Sequence, residues 1–304
     1  LQFILGAVFL YYGADILIKG SKSVAVKYNI SPIIIGITIV AVGTSLPELI
    51  VSVLANIKGD AGMVIGNVMG SNIANIGLVL GSTVIISPIF FNFEKIRFDM
   101  YFLVIITILP LWCMISGELV FWQGIVLIIC FIIYCMYLMQ SNQLNESDNN
   151  IKIEYNFRLV FVEILFGIIG LSLGATLFVD GAQGIAIFFG FSSIVIGMTI
   201  VALGTSLPEL AASIAAAKHG ETDFIIGNII GSNIMNIVLV LGISLLFENI
   251  VVQSSEILIQ GFFMIFLTFN LFFLLKWRGT INKLSGITFM ILYILFLYFN
   301  FQST

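Results

Sequence analysis

The sequence predicts an all-α integral membrane protein of ten transmembrane helices. They form two inverted five-helix repeats, with the second and seventh helices broken at the midplane. Three observations predict this. First, 60% of the 304 residues are hydrophobic and only 9% are charged, where a soluble domain carries about a quarter charged residues. Second, apolar runs of the ~20 residues that cross a bilayer recur along the chain. Third, the segment Gly-Thr-Ser-Leu-Pro-Glu occurs at 43–48 and again at 204–209, an offset of 161. So few charges cannot cover a globule of this size. A soluble enzyme, a nucleic-acid binder and a disordered chain are poor readings, and the net charge of −4 without a basic tract agrees.

Read against their polar breaks, the apolar runs place spans at 2–27, 33–57, 61–86, 98–116, 119–140, 157–187, 193–217, 222–247, 254–276 and 283–300. The chain starts at Leu1, which implies a trimmed or processed start. Residues 2–18 lack the preceding basic residue and the cleavage site of a signal peptide. The strongly polar stretch Ser141–Asn156 reads as a hydrated linker. It separates a first repeat, 1–140, from a second, 157–304. With residue 1 outside, inner loops hold Lys19, Lys22, Lys27, Lys95, Arg97, Lys152, Arg158, Lys218, Lys276, Arg278 and Lys283, and the outer side holds Lys58 alone. The positive-inside rule therefore puts both termini outside and the linker in the cytoplasm. Cys113, Cys130 and Cys135 lie in apolar runs without metal spacing and read as inert helix residues.

The repeat extends well beyond the hexapeptide. From Gly36 to Gly81, 28 of 46 positions are identical at offset 161 without a gap. The same offset carries Gly66-Asn67 onto Gly227-Asn228, Gly70-Ser71-Asn72 onto Gly231-Ser232-Asn233, Asn75 onto Asn236, and Gly13-Ala14 onto Gly174-Ala175. Five spans per half is an odd number, so the second copy is upside down relative to the first. This is the plan of many secondary transporters, whose substrate site lies where the repeats meet.

Glu48, Glu209, Asn75 and Asn236 fall near the centres of their predicted spans. A charge there costs at least ~2.5–3.5 kcal/mol and is normally tied to an ion path or a partner. Pro47 and Pro208 lack an N–H and clash with the carbonyls of Gly43 and Gly204. The helices should break around Gly43-Thr44 and Gly204-Thr205, and a cation can satisfy the freed carbonyls. Ser45-x-x-Glu48 and Ser206-x-x-Glu209 also fit a capping box that restarts each helix. Asn67, Ser71 and Asn75 share one helix face, as do Asn228, Ser232 and Asn236. These stripes suit either a site or interhelical hydrogen bonding, and the glycines beside them suit close packing. The inventory of carboxylates with Ser, Thr and Asn oxygens fits a hard cation such as Ca²⁺, and soft metals would want Cys or His. Asp15 and Lys19 are spaced to pair. His219, the single histidine, falls in a predicted cytoplasmic loop, and Asp180 and Glu163 read as structural.

At these residues the chain resembles the sodium/calcium exchangers of the cation/calcium exchanger superfamily, particularly the prokaryotic ones. The resemblance rests on two copies of Gly-Thr-Ser-Leu-Pro-Glu, each followed by Gly-Asn-x-x-Gly-Ser-Asn, and spans nearly the whole chain. It implies a Na⁺/Ca²⁺ antiporter working by alternating access, electrogenic, functioning as a monomer, without a cofactor and not an enzyme. It implies Ca²⁺ on Glu48 and Glu209 with backbone oxygens of Thr44 and Thr205. Ser45, Ser71, Ser206 and Ser232 would help form flanking Na⁺ sites, and Asn75 and Asn236 would complete the centre. Some relatives carry Asp at the position of Asn236, which makes potassium co-transport the poorer expectation here. The helices at 2–27 and 157–187 resemble a gating pair that slides past a fixed core. Proton/calcium exchange, a cation channel and an intramembrane serine enzyme are the competing readings. The last lacks a His or Lys base at depth.

Overall fold

The computed structural model describes residues 1–108, 117–142, 157–189, 202–251 and 254–303. The described residues are helical almost throughout. Among the described residues seven helices are long and apolar enough to cross a membrane. An eighth span forms if Pro32–Thr44 and Leu46–Ile57, bent by 46°, count as one. The predicted spans 98–116 and 193–217 fall partly outside the described residues, as does most of the linker and Cys113.

The chain divides into two compact units, residues 1–45 with 135–228, and 46–134 with 229–304. The first unit contains α1 (Gln2–Tyr28), α2 (Pro32–Ile35), a π-helical segment π1 (Gly36–Val40) and α3 (Ala41–Thr44). Next come the C-terminal end of α8 (Phe121–Asn142), α9 (Phe157–Phe188), α10 (Ala202–Gly204) and α11 (Leu207–Lys218). The first half of α12 (Thr222–Met235) completes it.

A glycine seam joins α1 and α9 as antiparallel neighbours. Gly6, Gly13 and Gly20 recur every seven residues on α1, and offset 161 carries them onto Gly167, Gly174 and Gly181 of α9. A Cβ on Gly6 would lie 2.3 Å from the Phe178 backbone nitrogen, and one on Gly181 would lie 2.2 Å from that of Phe3. At Gly13 and Gly167 the corresponding approaches to Leu171 and Leu17 are 2.8 and 2.7 Å. Backbone lies on backbone along this seam, which is how small residues associate helices where lipid supplies no hydrophobic drive.

The second unit begins with α4 (Leu46–Ile57), followed by α5 (Ala61–Ala74), π2 (Asn75–Leu80), α6 (Gly81–Ile86) and α7 (Phe93–Thr107). Most of α8 belongs here, as do the rest of α12, π3 (Asn236–Leu241), α13 (Gly242–Ser244), α14 (Ser254–Arg278) and α15 (Lys283–Ser303). Its most buried strip is α5–π2 with π3, where Ile73, Ile76, Leu80, Ile237 and Leu241 are at most 1% exposed. Close helix approach recurs against α15, where a Cβ on Gly286 would meet the Gly81 carbonyl at 2.6 Å. The side-chain amide of Asn56, buried at the end of α4, donates to the carbonyls of Ser244 and Glu248. It thereby satisfies acceptors that the end of α13 leaves over.

Four two-residue strands were not foreseen. β1 (Ile89–Phe90) pairs antiparallel with β4 (Thr280–Ile281), and β2 (Glu118–Leu119) with β3 (Ile250–Val251). Segments this short carry no periodicity to read.

Element bounds repeat at offset 161. Leu46–Ile57 maps onto Leu207–Lys218, Ala61–Ala74 onto Thr222–Met235, Asn75–Leu80 onto Asn236–Leu241, and β1 onto β3. The corner before α5 turns through Gly59 at φ 75°, and the corner before α12 through Gly220 at φ 72°. Only glycine takes that left-handed conformation without penalty. Asp60 then caps α5, its carboxylate accepting from the Met63 N–H at 3.0 Å.

Candidate functional site

The first unit holds Thr44, Ser45, Thr205, Ser206 and Glu209. The chain leaves helical geometry at Ser45, between α3 and α4, and at Thr205–Ser206, between α10 and α11. Ser45 and Ser206 share one backbone conformation, φ/ψ −85°/7° and −86°/3°. The first break thus falls just beyond the predicted Gly43-Thr44. Pro47 sits at the second position of the new helix, where its missing N–H costs nothing. Each glutamate lies in the first turn of the restarted helix, where the helix dipole favours a negative charge.

The capping box does not form at Ser206, whose side chain makes no capping hydrogen bond. Its Oγ is buried and has no partner among the described residues. The Ser45 hydroxyl donates instead to Glu209 Oε1 at 3.1 Å. The Ser45 hydroxyl thus faces a carboxylate. Thr44, fully buried, donates to Asn228 Oδ1 at 3.4 Å, and Thr205 is half-buried in its turn.

The asparagine stripes divide into braces and open donors. Asn228 donates to the Glu209 carbonyl at 3.4 Å and to Ser213 Oγ at 3.1 Å. In the second unit Asn67 repeats this, donating to the Glu48 carbonyl at 3.0 Å and to Ser52 Oγ at 2.8 Å. Both amides brace the segment behind a glutamate through Nδ2, and Asn228 Oδ1 accepts from Thr44. Ser52 and Ser213 are identical at offset 161, a signal the sequence reading left unused.

The second unit also holds Glu48, Ser71, Asn75, Ser232 and Asn236, all at most 3% exposed. Asn75 Nδ2 donates to Asn233 Oδ1 at 3.1 Å, and Asn236 Nδ2 donates to Asn72 Oδ1 at 3.3 Å. Asn75 Oδ1, Asn236 Oδ1 and Ser232 Oγ are buried without a hydrogen-bond partner among the described residues. Outside the motifs the same holds for Ser21 Oγ, Thr83 Oγ1 and Gln260 Oε1. An unsatisfied buried polar group costs ~1–3 kcal/mol, a cost that a cation bound to these oxygens removes. The donors are hard oxygens suited to Na⁺ or Ca²⁺. Among the described residues no three His, Cys, Asp or Glu side chains cluster, so charge comes from the single glutamates.

Other predicted residues fall elsewhere. Lys19 pairs with Asp15 at 2.7 Å, as the spacing predicts. His219 lies in the turn that follows α11, as its C-cap, and its Nε2 sits 2.7 Å from Asp15 Oδ1. Lys22 pairs with Glu221 beside it. Cys130 and Cys135 are free thiols in α8. Glu163 packs beside Gly20, and Asp180 is exposed on α9.

The family model for the sodium/calcium exchanger protein matches residues 1–140 and 159–302. An uncharacterized membrane protein of Methanocaldococcus jannaschii, MJ0091, is 39% identical over 96% of this chain and 95% of its own length. The sodium/calcium exchanger MaX1 of Methanosarcina acetivorans is 31% identical over 97% and 96%. The solved sodium-calcium exchanger NCX_Mj, soaked with Na⁺ and without Ca²⁺, superposes with a TM-score of 0.84 at 38% identity, covering 97% of this chain and 96% of its own. With the doubled motif and its buried oxygens, these matches place the chain in the sodium/calcium exchanger family of membrane proteins.

Proposed function

We propose that this chain is a secondary antiporter that exchanges Na⁺ for Ca²⁺ across the cell membrane by alternating access. One observation carries the reading: two matched glutamates, each fully buried in the first turn of a restarted helix, accompanied by buried Ser and Asn oxygens that lack partners among the described residues. Relatives named as sodium/calcium exchangers support the choice of ions.

Glu48 and Glu209 neutralise one Ca²⁺. Thr44 and Thr205 add backbone oxygens, Asn75 and Asn236 add side-chain oxygens, and the total suits an ion that takes 6–8 oxygen ligands. Ser45, Ser71, Ser206 and Ser232 serve flanking Na⁺ sites. Three Na⁺ on two carboxylates leave a net +1 where Ca²⁺ leaves zero, so exchange of three for one is electrogenic. Ten spans, five in each half and the second half inverted, extend the observed helices through 98–116 and 193–217. The repeated element bounds support that count. Both termini lie outside, residues 141–156 face the cytoplasm, and the protein works as a monomer.

The test is ⁴⁵Ca²⁺ uptake into proteoliposomes under an outward Na⁺ gradient in K⁺-free medium. Uptake that requires Na⁺ and disappears in Glu48→Gln and Glu209→Gln is expected. Uptake driven only by a proton gradient, or only with K⁺ present, would overturn the assignment of coupling ion. Uptake without any counter-ion requirement would point to a channel.

A further inference from the structure

We propose that Asn72 and Asn233 are positioning residues that set the amide orientation of Asn75 and Asn236, so that each presents its carbonyl oxygen to the ion. The proposal rests on the ion-exchange reading above. It concerns two residues that stand beside the motif serines and to which the sequence reading assigned no role.

A primary amide is two-ended, with an oxygen that accepts and an NH₂ that donates. Only the oxygen can hold a cation, and an NH₂ aimed at the ion would repel it. Something must therefore choose between two orientations of similar shape. Here the choice is made by hydrogen bonds across the repeats. Asn75 of the first repeat donates to Asn233 of the second at 3.1 Å, and Asn236 of the second donates to Asn72 of the first at 3.3 Å. All four side chains are at most 2% exposed. Positions 72 and 75 share a helix face, as do 233 and 236, yet each bond goes to the other repeat rather than along the helix. The consequence is visible at the far end of each amide, where Asn75 Oδ1 and Asn236 Oδ1 are buried without partners among the described residues. Asn72 has its own orientation set, since its Nδ2 lies 3.8 Å from Met264 Sδ, a weak acceptor, which leaves Oδ1 for Asn236.

A carboxylate needs no such help, because both of its ends accept. This separates positioning from mere packing. The experiment measures half-saturating Ca²⁺ for Na⁺-driven uptake in four proteins: the unaltered chain, Asn72→Leu, Asn236→Asp, and the double variant. Leucine keeps the branching and heavy-atom count of asparagine and removes the acceptor. We expect Asn72→Leu to raise half-saturating Ca²⁺ about tenfold in the native background, the scale of one lost buried hydrogen bond. The same change should cost less than about twofold in the Asn236→Asp background, a non-additivity that independent packing effects do not produce. Equal losses in both backgrounds, or no loss in the native one, would overturn the proposal. If the leucine variant does not elute as a monodisperse peak, Asn72→Ser replaces it, with the same two outcomes. Absence of Na⁺-driven uptake in the unaltered chain would instead count against the exchange reading itself.

Discussion

Ser45 and Ser206 occupy equivalent places in the two repeats and share backbone dihedrals to within a few degrees, yet their hydroxyls are used differently. Ser45 is engaged with the Glu209 carboxylate, and Ser206 is buried with its oxygen unsatisfied among the described residues. The backbone repeats while the hydrogen bonding does not. A duplicated motif therefore yields two inequivalent hydrogen-bonding environments, because a hydroxyl needs only a rotation about one bond to change its partner.

The comparison is tested most severely at the glutamates. Glu48→Gln and Glu209→Gln are each expected to lower Na⁺-driven ⁴⁵Ca²⁺ uptake by at least about a hundredfold, since each removes a buried charge that the ion requires. Retention of uptake by one of them would show that the repeats are unequal in charge as well as in hydrogen bonding.

Next in size are the glycines of the seam. Gly181→Ala puts a methyl group about 2 Å from the Phe3 backbone nitrogen and should destabilise by ~1–3 kcal/mol, as overpacking does. Gly184, on the same helix with no atom of the described residues within 4 Å of an added Cβ, should accept alanine with little change. Thermal unfolding in detergent compares the two.

The serines come third. In ion-free buffer Ser45→Ala should destabilise by ~1.5–3 kcal/mol, the range for a hydrogen bond to a charged group. Ser206→Ala removes only an unsatisfied hydroxyl, so it should leave ion-free stability unchanged or raised. It should lose Na⁺ affinity all the same, seen as a several-fold higher half-saturating Na⁺. Equal behaviour of the two variants would erase the distinction drawn above. The smallest effect is expected at Lys22→Gln. Its pairing with Glu221 has one largely exposed partner, and such pairs are worth ~1 kcal/mol or less.

Much of the helical layout was legible because polar residues punctuate the apolar runs. Pro47, Gly59 and Asp60 mark the break, the corner and the cap of the first repeat, and offset 161 carries the punctuation to the second. The seven-residue spacing of Gly6, Gly13 and Gly20 is equally legible, but glycine carries no polar side chain to mark it. Other features were not accessible in this way. A π-helix at Asn75–Leu80 is a change in hydrogen-bond register with no change in hydropathy. Whether Ser206 caps a helix or faces an ion is a rotamer choice, and both answers satisfy the same four-residue pattern. The asparagine stripe read as uniform because periodicity reports which face a residue is on, not whether a neighbour has already taken its donor. The Asn67 NH₂ group braces Glu48 and Ser52, while Asn75 Oδ1 is buried without a partner among the described residues.

The glycine seam has a mechanical consequence. A single helix of 27 residues, about 40 Å long, flexes easily along its length. Two such helices held backbone to backbone at three levels resist bending as a laminated beam does, because curvature in one would require slip against the other. Any displacement applied at one end of α1 and α9 is therefore delivered, undiminished and in step, to the opposite end.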